Sequence, residues 1–255
     1  MSLNPQITDW HDKRVWVIGA SSGIGAALTT LLIHKGASLA ISARSQAGLK
    51  EIAKEDTIIV PLDVTNADSL KRVGDELLTQ WGGIDMVIYC AGTYTPMRSW
   101  AFELPLARQS LETNLQGAYN LLDAILPYYL KQAKGNLCIL ASVAGYTGLP
   151  KALAYGPSKA ALINLAQILY TDLSPKGIGV YLVNPGFVDT RLTEQNDFDM
   201  PALISAEQAA VEILKGIGRG RFEIHFPKRF TYWMKLLSRL PDRLRFLLLK
   251  KAVGL

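Results

Sequence analysis

At 255 residues and 49% hydrophobic, the chain carries enough apolar material for one large core, and α/β domains of this length routinely stay undivided. Its two cysteines, Cys90 and Cys138, lie in apolar runs that read as buried strands, which argues against a disulfide framework and for a reducing, cytoplasmic setting. The formal charge of +5 is local: residues 226–255 hold eight Lys/Arg against Asp242, a net +7, which leaves −2 on the rest and disfavours a nucleic-acid partner.

Residues 1–10 lack a basic segment followed by an apolar one, so no signal peptide is expected. No uncharged apolar run reaches the ~18 residues of a membrane span. From Arg14 onward, short β-branched runs alternate with longer stretches of helical period, the pattern of a parallel sheet covered on both faces. Strands are predicted at 14–19, 37–42, 57–61, 84–90, 136–141, 178–183 and 222–225. Helices are predicted at 23–35, 46–54, 66–80, 101–131, 152–173 and 205–217, with right-handed crossovers. The expected fold class is α/β, a doubly wound seven-stranded parallel sheet in a single domain. Residues 1–225 are read as the dinucleotide-binding and catalytic part, and 226–255 as a helical extension.

The first strand runs into Gly19-Ala20-Ser21-Ser22-Gly23-Ile24-Gly25 and then into a helical pattern. Glycines let backbone approach a pyrophosphate there, and a helix N-terminus offers it free N–H groups and partial positive charge. The second strand ends in Arg44, with no acid before Glu51. An acid in that place would accept from a ribose 2′-hydroxyl, whereas a 2′-phosphate needs a cation, so NADP(H) is favoured over NAD(H). Asp63, at the third strand's end, can accept from an adenine amino group or simply form a turn.

Tyr155 and Lys159 lie four apart in a helical segment and therefore share a face, and none of the other nine tyrosines has a lysine four residues on. A neighbouring ammonium favours the phenolate, so the Tyr155 pKa is expected below its usual ~10. Ser142 ends the fifth predicted strand, where its hydroxyl can hold a substrate oxygen. The three histidines, His11, His34 and His225, are scattered, and no cluster has metal-ligand spacing.

With Asp63-Val64, Ala91-Gly92, Asn114, Ser142, Tyr155-x-x-x-Lys159 and Pro185-Gly186 in order behind the glycine turn, residues 10–225 resemble the short-chain dehydrogenase/reductase family. The resemblance implies a Rossmann-type fold, a nicotinamide cofactor, a small-molecule carbonyl or alcohol substrate, and a catalytic tetrad of Asn114, Ser142, Tyr155 and Lys159. It implies that Asn114 bends its helix and holds a water linking Lys159 to solvent, and that Val188 and Thr190 contact the carboxamide. It also implies a homodimer or homotetramer built on the helices at 101–131 and 152–173, although Leu162, Leu165, Ile168 and Leu169 suit core burial equally. Two positions depart from the family pattern: Ile18 and Cys90 replace a threonine and an asparagine at the ends of neighbouring strands, which is read as packing exchanged for hydrogen bonds. A non-catalytic NADP(H)-binding redox sensor and the NAD-dependent oxidation of an alcohol are the alternatives to a reductase.

The extension is outside the family pattern. Phe230, Trp233, Met234, Leu237 and Leu240 make an apolar helical stripe, and Leu244, Leu247 and Leu248 a second one after Pro241, each beside Lys and Arg. Two expectations stand: that the stripes cover the substrate loop or a subunit interface, or that residues 228–251 touch an anionic membrane whose apolar lipids supply the substrate.

Overall fold

The structure, a computed structural model, describes residues 2–195 and 199–252. Residues 196–198 of the expected substrate loop 187–204, and 253–255 of the extension, lie outside the described residues. Seven strands form one parallel sheet in the order β3-β2-β1-β4-β5-β6-β7: β1 Arg14–Ile18, β2 Ser38–Ala43, β3 Ile58–Pro61, β4 Met86–Tyr89, β5 Gly135–Leu140, β6 Ile178–Pro185 and β7 Glu223–Phe226. The chain crosses from β3 to β4 on the far side of β1, so the strand order reverses between β1 and β4 and opens a crevice at their carboxyl ends. This is the Rossmann-type doubly wound sheet, in a single domain.

Each face is apolar because both are covered. On one, helices α3 (Ala67–Trp81), α5 (Gly117–Gln132) and α6 (Tyr155–Leu173) pack Leu70, Val73, Leu121, Ile125, Leu162 and Leu169 onto Trp16, Ile18 and Tyr89. On the other, α1 (Gly23–His34) and α7 (Ala206–Gly218) bring Leu28, Leu32, Ala209 and Ile213 onto Val15, Val17 and Ile88. The short α2 (Gln46–Ile52) follows β2. Leu162, Leu165 and Leu169 are core residues, whereas Ile168 faces solvent. Ile18 and Cys90 are joined by a backbone bond, Cys90 N–H donating to Ile18 O at 2.8 Å, but their side chains pack into opposite faces.

Several boundaries differ from expectation for local reasons. The single helix predicted at 101–131 is three pieces: α4 (Leu104–Leu111), a π-helical turn (Glu112–Gln116) and α5. It starts late because Pro105, in the first turn, fits a helix start, and its middle is loosened by one wide turn. Helix α6 starts at Tyr155 rather than 152, because the backbone just before it pairs elsewhere: Met97 N–H donates to Lys151 O at 2.9 Å. Strand β6 runs on to Pro185, held by β7 through Gly186 N–H donating to Phe226 O at 2.7 Å.

After β7 come α8 (Lys228–Arg239) and α9 (Asp242–Ala252). The inward side of α8 carries buried Thr231 and Met234, with Phe230 stacked on Phe187 at a centroid distance of 5.3 Å. Trp233, expected in that stripe, points out and is 71% exposed, because the helix is turned by its polar anchors. Lys235 pairs with Glu223 of β7, whose carboxylate also accepts from Asn184 Nδ2 at 2.8 Å and from the Tyr146 hydroxyl. Buried His225 Nδ1 lies 2.6 Å from Thr231 Oγ1.

This anchorage is acid-sensitive. Burial, then Lys235, Lys228 and Arg221, hold His225 down to about 4 against the pull of Glu223. Burial tends to raise the Glu223 carboxyl, but bonds from Lys235, Tyr146 and Asn184 outweigh it and hold the group below its ordinary value. Both folded pKa values lie below the unfolded ones, so each contribution is present above the unfolded pKa and is lost as pH falls through the folded one. For His225 the window is 6.5 to about 4. Acidification across it should cost about 1–3 kcal/mol. In His225→Gln the melting temperature should fall less over that window, and tryptic cleavage in 228–239 should rise less; parallel profiles for the two proteins would contradict the assignment.

Candidate active site

At the carboxyl ends of β1, β2, β4, β5 and β6 lies a cavity of about 680 Å³. Its lining includes Gly19, Ser21, Ser22, Gly23, Ile24 and Gly25 from the β1–α1 turn, and Arg44, Asp63, Val64, Ala91 and Gly92 from the next three strand ends. It also includes Ser142, Tyr155 and Lys159, and Pro185, Gly186, Val188 and Thr190 after β6. Asn114 stands just behind, fully buried. Residues read from distant parts of the sequence are therefore brought to one place.

The β1–α1 turn is built for close approach. Gly19 adopts φ +88°, a conformation natural to glycine, and a Cβ there would sit 2.5 Å from Ala91 N. Ser22 precedes α1 without a side-chain capping bond, so no local side chain screens the first N–H groups of the helix, which line the cavity. Thr190 lies over the turn, close enough for its Cγ2 to be 2.9 Å from a Cβ built on Gly23. Arg44 is exposed at the rim and has no ion pair among the described residues. The Asp63 carboxylate accepts from Thr65 N–H at 3.0 Å and Thr65 Oγ1 at 2.9 Å, so one of its oxygens closes a turn. An uncapped helix start, a backbone cradle and a rim cation together suit a dinucleotide with its phosphates.

Ser142, at the end of β5, accepts from Ala144 N–H at 3.1 Å and lines the cavity together with Tyr155, whose ionised form it favours. Lys159 is buried one turn on, its Nζ donating to Leu140 O at 2.9 Å and lying 5.6 Å from the Tyr155 ring centroid. The expected lowering of the Tyr155 pKa is not found. Burial pushes the phenol up to about 12, with Ser142 pulling the other way and Tyr94 adding to the rise. Lys159 is itself brought down to about 8 by burial, offset slightly by Cys90, and spends a donor on Leu140.

Asn114 sits in the π-helical turn that interrupts the α4–α5 rod. Its Oδ1 accepts from Thr93 N–H at 2.7 Å, and its Nδ2 donates to Thr93 O and Ser158 Oγ, each at 3.0 Å. A Cβ built on Gly92 would lie 3.4 Å from Asn114 Oδ1 and 3.6 Å from Lys159 Nζ, so both polar groups flank the same glycine.

Sequence reading missed three contributors. The Tyr94 ring meets Tyr155 edge-on at 5.1 Å, and Ser158 bridges Asn114 to Tyr155 by donating to its carbonyl at 2.7 Å. Thr193 Oγ1 donates to Val188 O at 2.7 Å and fixes the loop after β6. Ser158 has a readable signal, its i+3 spacing from Tyr155; the other two have none. Among the described residues, no cluster of His, Cys, Asp or Glu could hold a metal.

A model of the short chain dehydrogenase family matches residues 13–200. A Myxococcus xanthus protein known as an uncharacterized oxidoreductase is 33% identical over 234 residues, covering 89% of this chain and 92% of its own. A short chain dehydrogenase from Burkholderia cenocepacia, solved in complex with NADP, superposes with a TM-score of 0.82 at 23% identity, covering 94% of this chain and 97% of its own. A short-chain dehydrogenase from Streptomyces avermitilis gives 0.79 at 21%, with 95% and 98% covered. The chain belongs to the short chain dehydrogenase family and is an oxidoreductase.

Proposed function

We propose that the chain interconverts a carbonyl and a secondary alcohol with NADP(H), acting on an apolar, lipid-like substrate. The observation that carries this reading is that Ser142, Tyr155 and the buried Lys159 line the same cavity as the glycine turn. When bound, the nicotinamide supplies or accepts hydride. Residues 1–225 would form the binding and catalytic part and the rest a helical extension.

In the reductive direction Ser142 Oγ holds the substrate oxygen and Tyr155 donates its phenolic proton to it. A phenol held up to about 12 is protonated at neutral pH and ready to act as an acid. Lys159 places positive charge near the phenolate that forms, and Asn114, clamped by Thr93 and Ser158, holds the π-helical turn that keeps this corner in register. The turn 19–25 with Asp63, Val64, Ala91 and Gly92 would hold the adenosine and pyrophosphate part. Pro185, Gly186, Val188 and Thr190 would seat the carboxamide. Arg44, exposed at the rim, would meet a 2′-phosphate. The Tyr94 ring beside Tyr155 gives the substrate side an apolar wall.

A screen of carbonyl compounds from small ketones to long-chain acyl substrates, following NADPH consumption, tests the reading. Turnover should rise with apolar length. Arg44→Ser should raise the KM for NADPH about tenfold or more and leave that for NADH nearly unchanged. Preference for NADH, or an unaltered ratio in the variant, would refute the cofactor assignment.

A further inference from the structure

Helix α8 has two apolar stripes, and the fold covers only one. Inward, Thr231 and Met234 are buried and Lys235 is paired with Glu223, which fixes the helix rotation. Outward, Arg229, Tyr232, Trp233, Leu236 and Arg239 are all exposed, at i, i+3, i+4, i+7 and i+10. An arginine stands at each end of this outer stripe, with aromatic and aliphatic groups between. Helix α9 leaves its apolar residues uncovered too: Leu244, Phe246, Leu247 and Leu248 are exposed. Its start is tied back to α8 by Arg245, which donates to Ser238 O at 3.3 Å and pairs with Asp242.

We propose that the outer face of α8 and α9 docks on an anionic lipid surface. Charge and apolar chemistry together select that occupant. Residues 226–255 carry +7 in a chain whose remainder carries −2, so attraction to an anionic surface is concentrated where the apolar groups are exposed. Tryptophan, tyrosine and leucine between arginines suit the boundary between headgroups and acyl chains. A nucleic acid would use the arginines but leave the leucines in water. A second copy of the chain, paired through the same face, would bring two basic segments together and be opposed by their repulsion. Among the described residues no helix is long and apolar enough to cross a membrane, so the contact is peripheral.

The location adds a functional consequence. Helix α8 leaves the carboxyl end of β7, the same edge of the sheet at which the cavity opens. The segment between β4 and α4 also exposes Trp100 and Phe102. Docking through this edge places the cavity mouth beside the lipid phase.

The test is flotation of the full-length protein with vesicles of phosphatidylcholine alone, or with ~30 mol % phosphatidylglycerol, at low salt and at about 0.5 M NaCl. Binding is expected to the anionic vesicles only, and to weaken in salt. The double variant Trp233→Ser, Leu236→Ser should bind about tenfold less while keeping the wild-type melting temperature, since both side chains are in solvent. Arg229→Gln with Arg239→Gln should lose the salt-sensitive part. The proposal is overturned by equal binding to neutral vesicles, by no binding, or by undiminished binding of the double variant. It is likewise overturned by a dimer in solution that the double variant splits while neither protein binds vesicles. None of these readouts depends on turnover, so they stand or fall apart from the proposed reaction.

Discussion

Replacing Tyr155 with phenylalanine should lower kcat/KM for the best carbonyl substrate by about 10³-fold, within the range for losing a positioned general acid and equal to about 4 kcal/mol of barrier. The change removes one hydroxyl from a ring that packs on Tyr94 and lies under Lys159 Nζ, so the fold and the NADPH-induced rise in melting temperature should persist. The two readouts separate chemistry from binding. The pH dependence sharpens the expectation. Burial raises Tyr155 to about 12, so reduction, which uses the protonated phenol, should hold its rate through neutral pH. Oxidation, which needs the phenolate, should climb as the solution becomes alkaline. Near-normal turnover in Tyr155→Phe would remove the tyrosine from the reaction.

Gly19→Ala should be strongly damaging, although it adds a single methyl to the glycine turn. The new Cβ would stand 2.5 Å from Ala91 N and 2.7 Å from Cys90 C, and backbone cannot swing aside as a flexible side chain can. Relief requires β1 and β4 to part, which strains the bond from Cys90 N–H to Ile18 O, while Gly19 N–H stays tied to β2 through Ser42 O. Added to the left-handed φ, the cost should be about 3 kcal/mol or more, a fall in melting temperature of about 6–12 °C. Gly82→Ala is the control: its φ is +66° but nothing lies within 4 Å of its Cβ, so only the conformational part, about 1 kcal/mol, is expected. Equal losses in the two variants would show that the approach to Ala91 does not matter.

The cradle was legible in the sequence because it is local: a β-branched strand, glycines and a helical pattern follow one another within a few residues, and each imposes its own geometry. Tyr155 and Lys159 were legible for the same reason, since i and i+4 share a face wherever the helix goes. What failed was long-range. The Tyr155 pKa depends on burial that no spacing reports. Trp233 fits the apolar stripe by period, yet the Glu223–Lys235 pair and the His225–Thr231 contact, both made with β7, turn it outward. The π-helical turn at Asn114 adds a residue to one turn without any Gly or Pro to announce it.

The Phe230 ring lies against Phe187, and its Cδ1 stands 2.8 Å from where a Cβ on Gly186 would be. The extension therefore forms part of the wall behind the segment proposed to seat the nicotinamide. In evolutionary terms, residues 186 and 187 are not free to drift by themselves. Chains that carry a different extension should show compensating changes at these two positions, and grafting this extension onto a relative should succeed only when Gly186 and Phe187 travel with it.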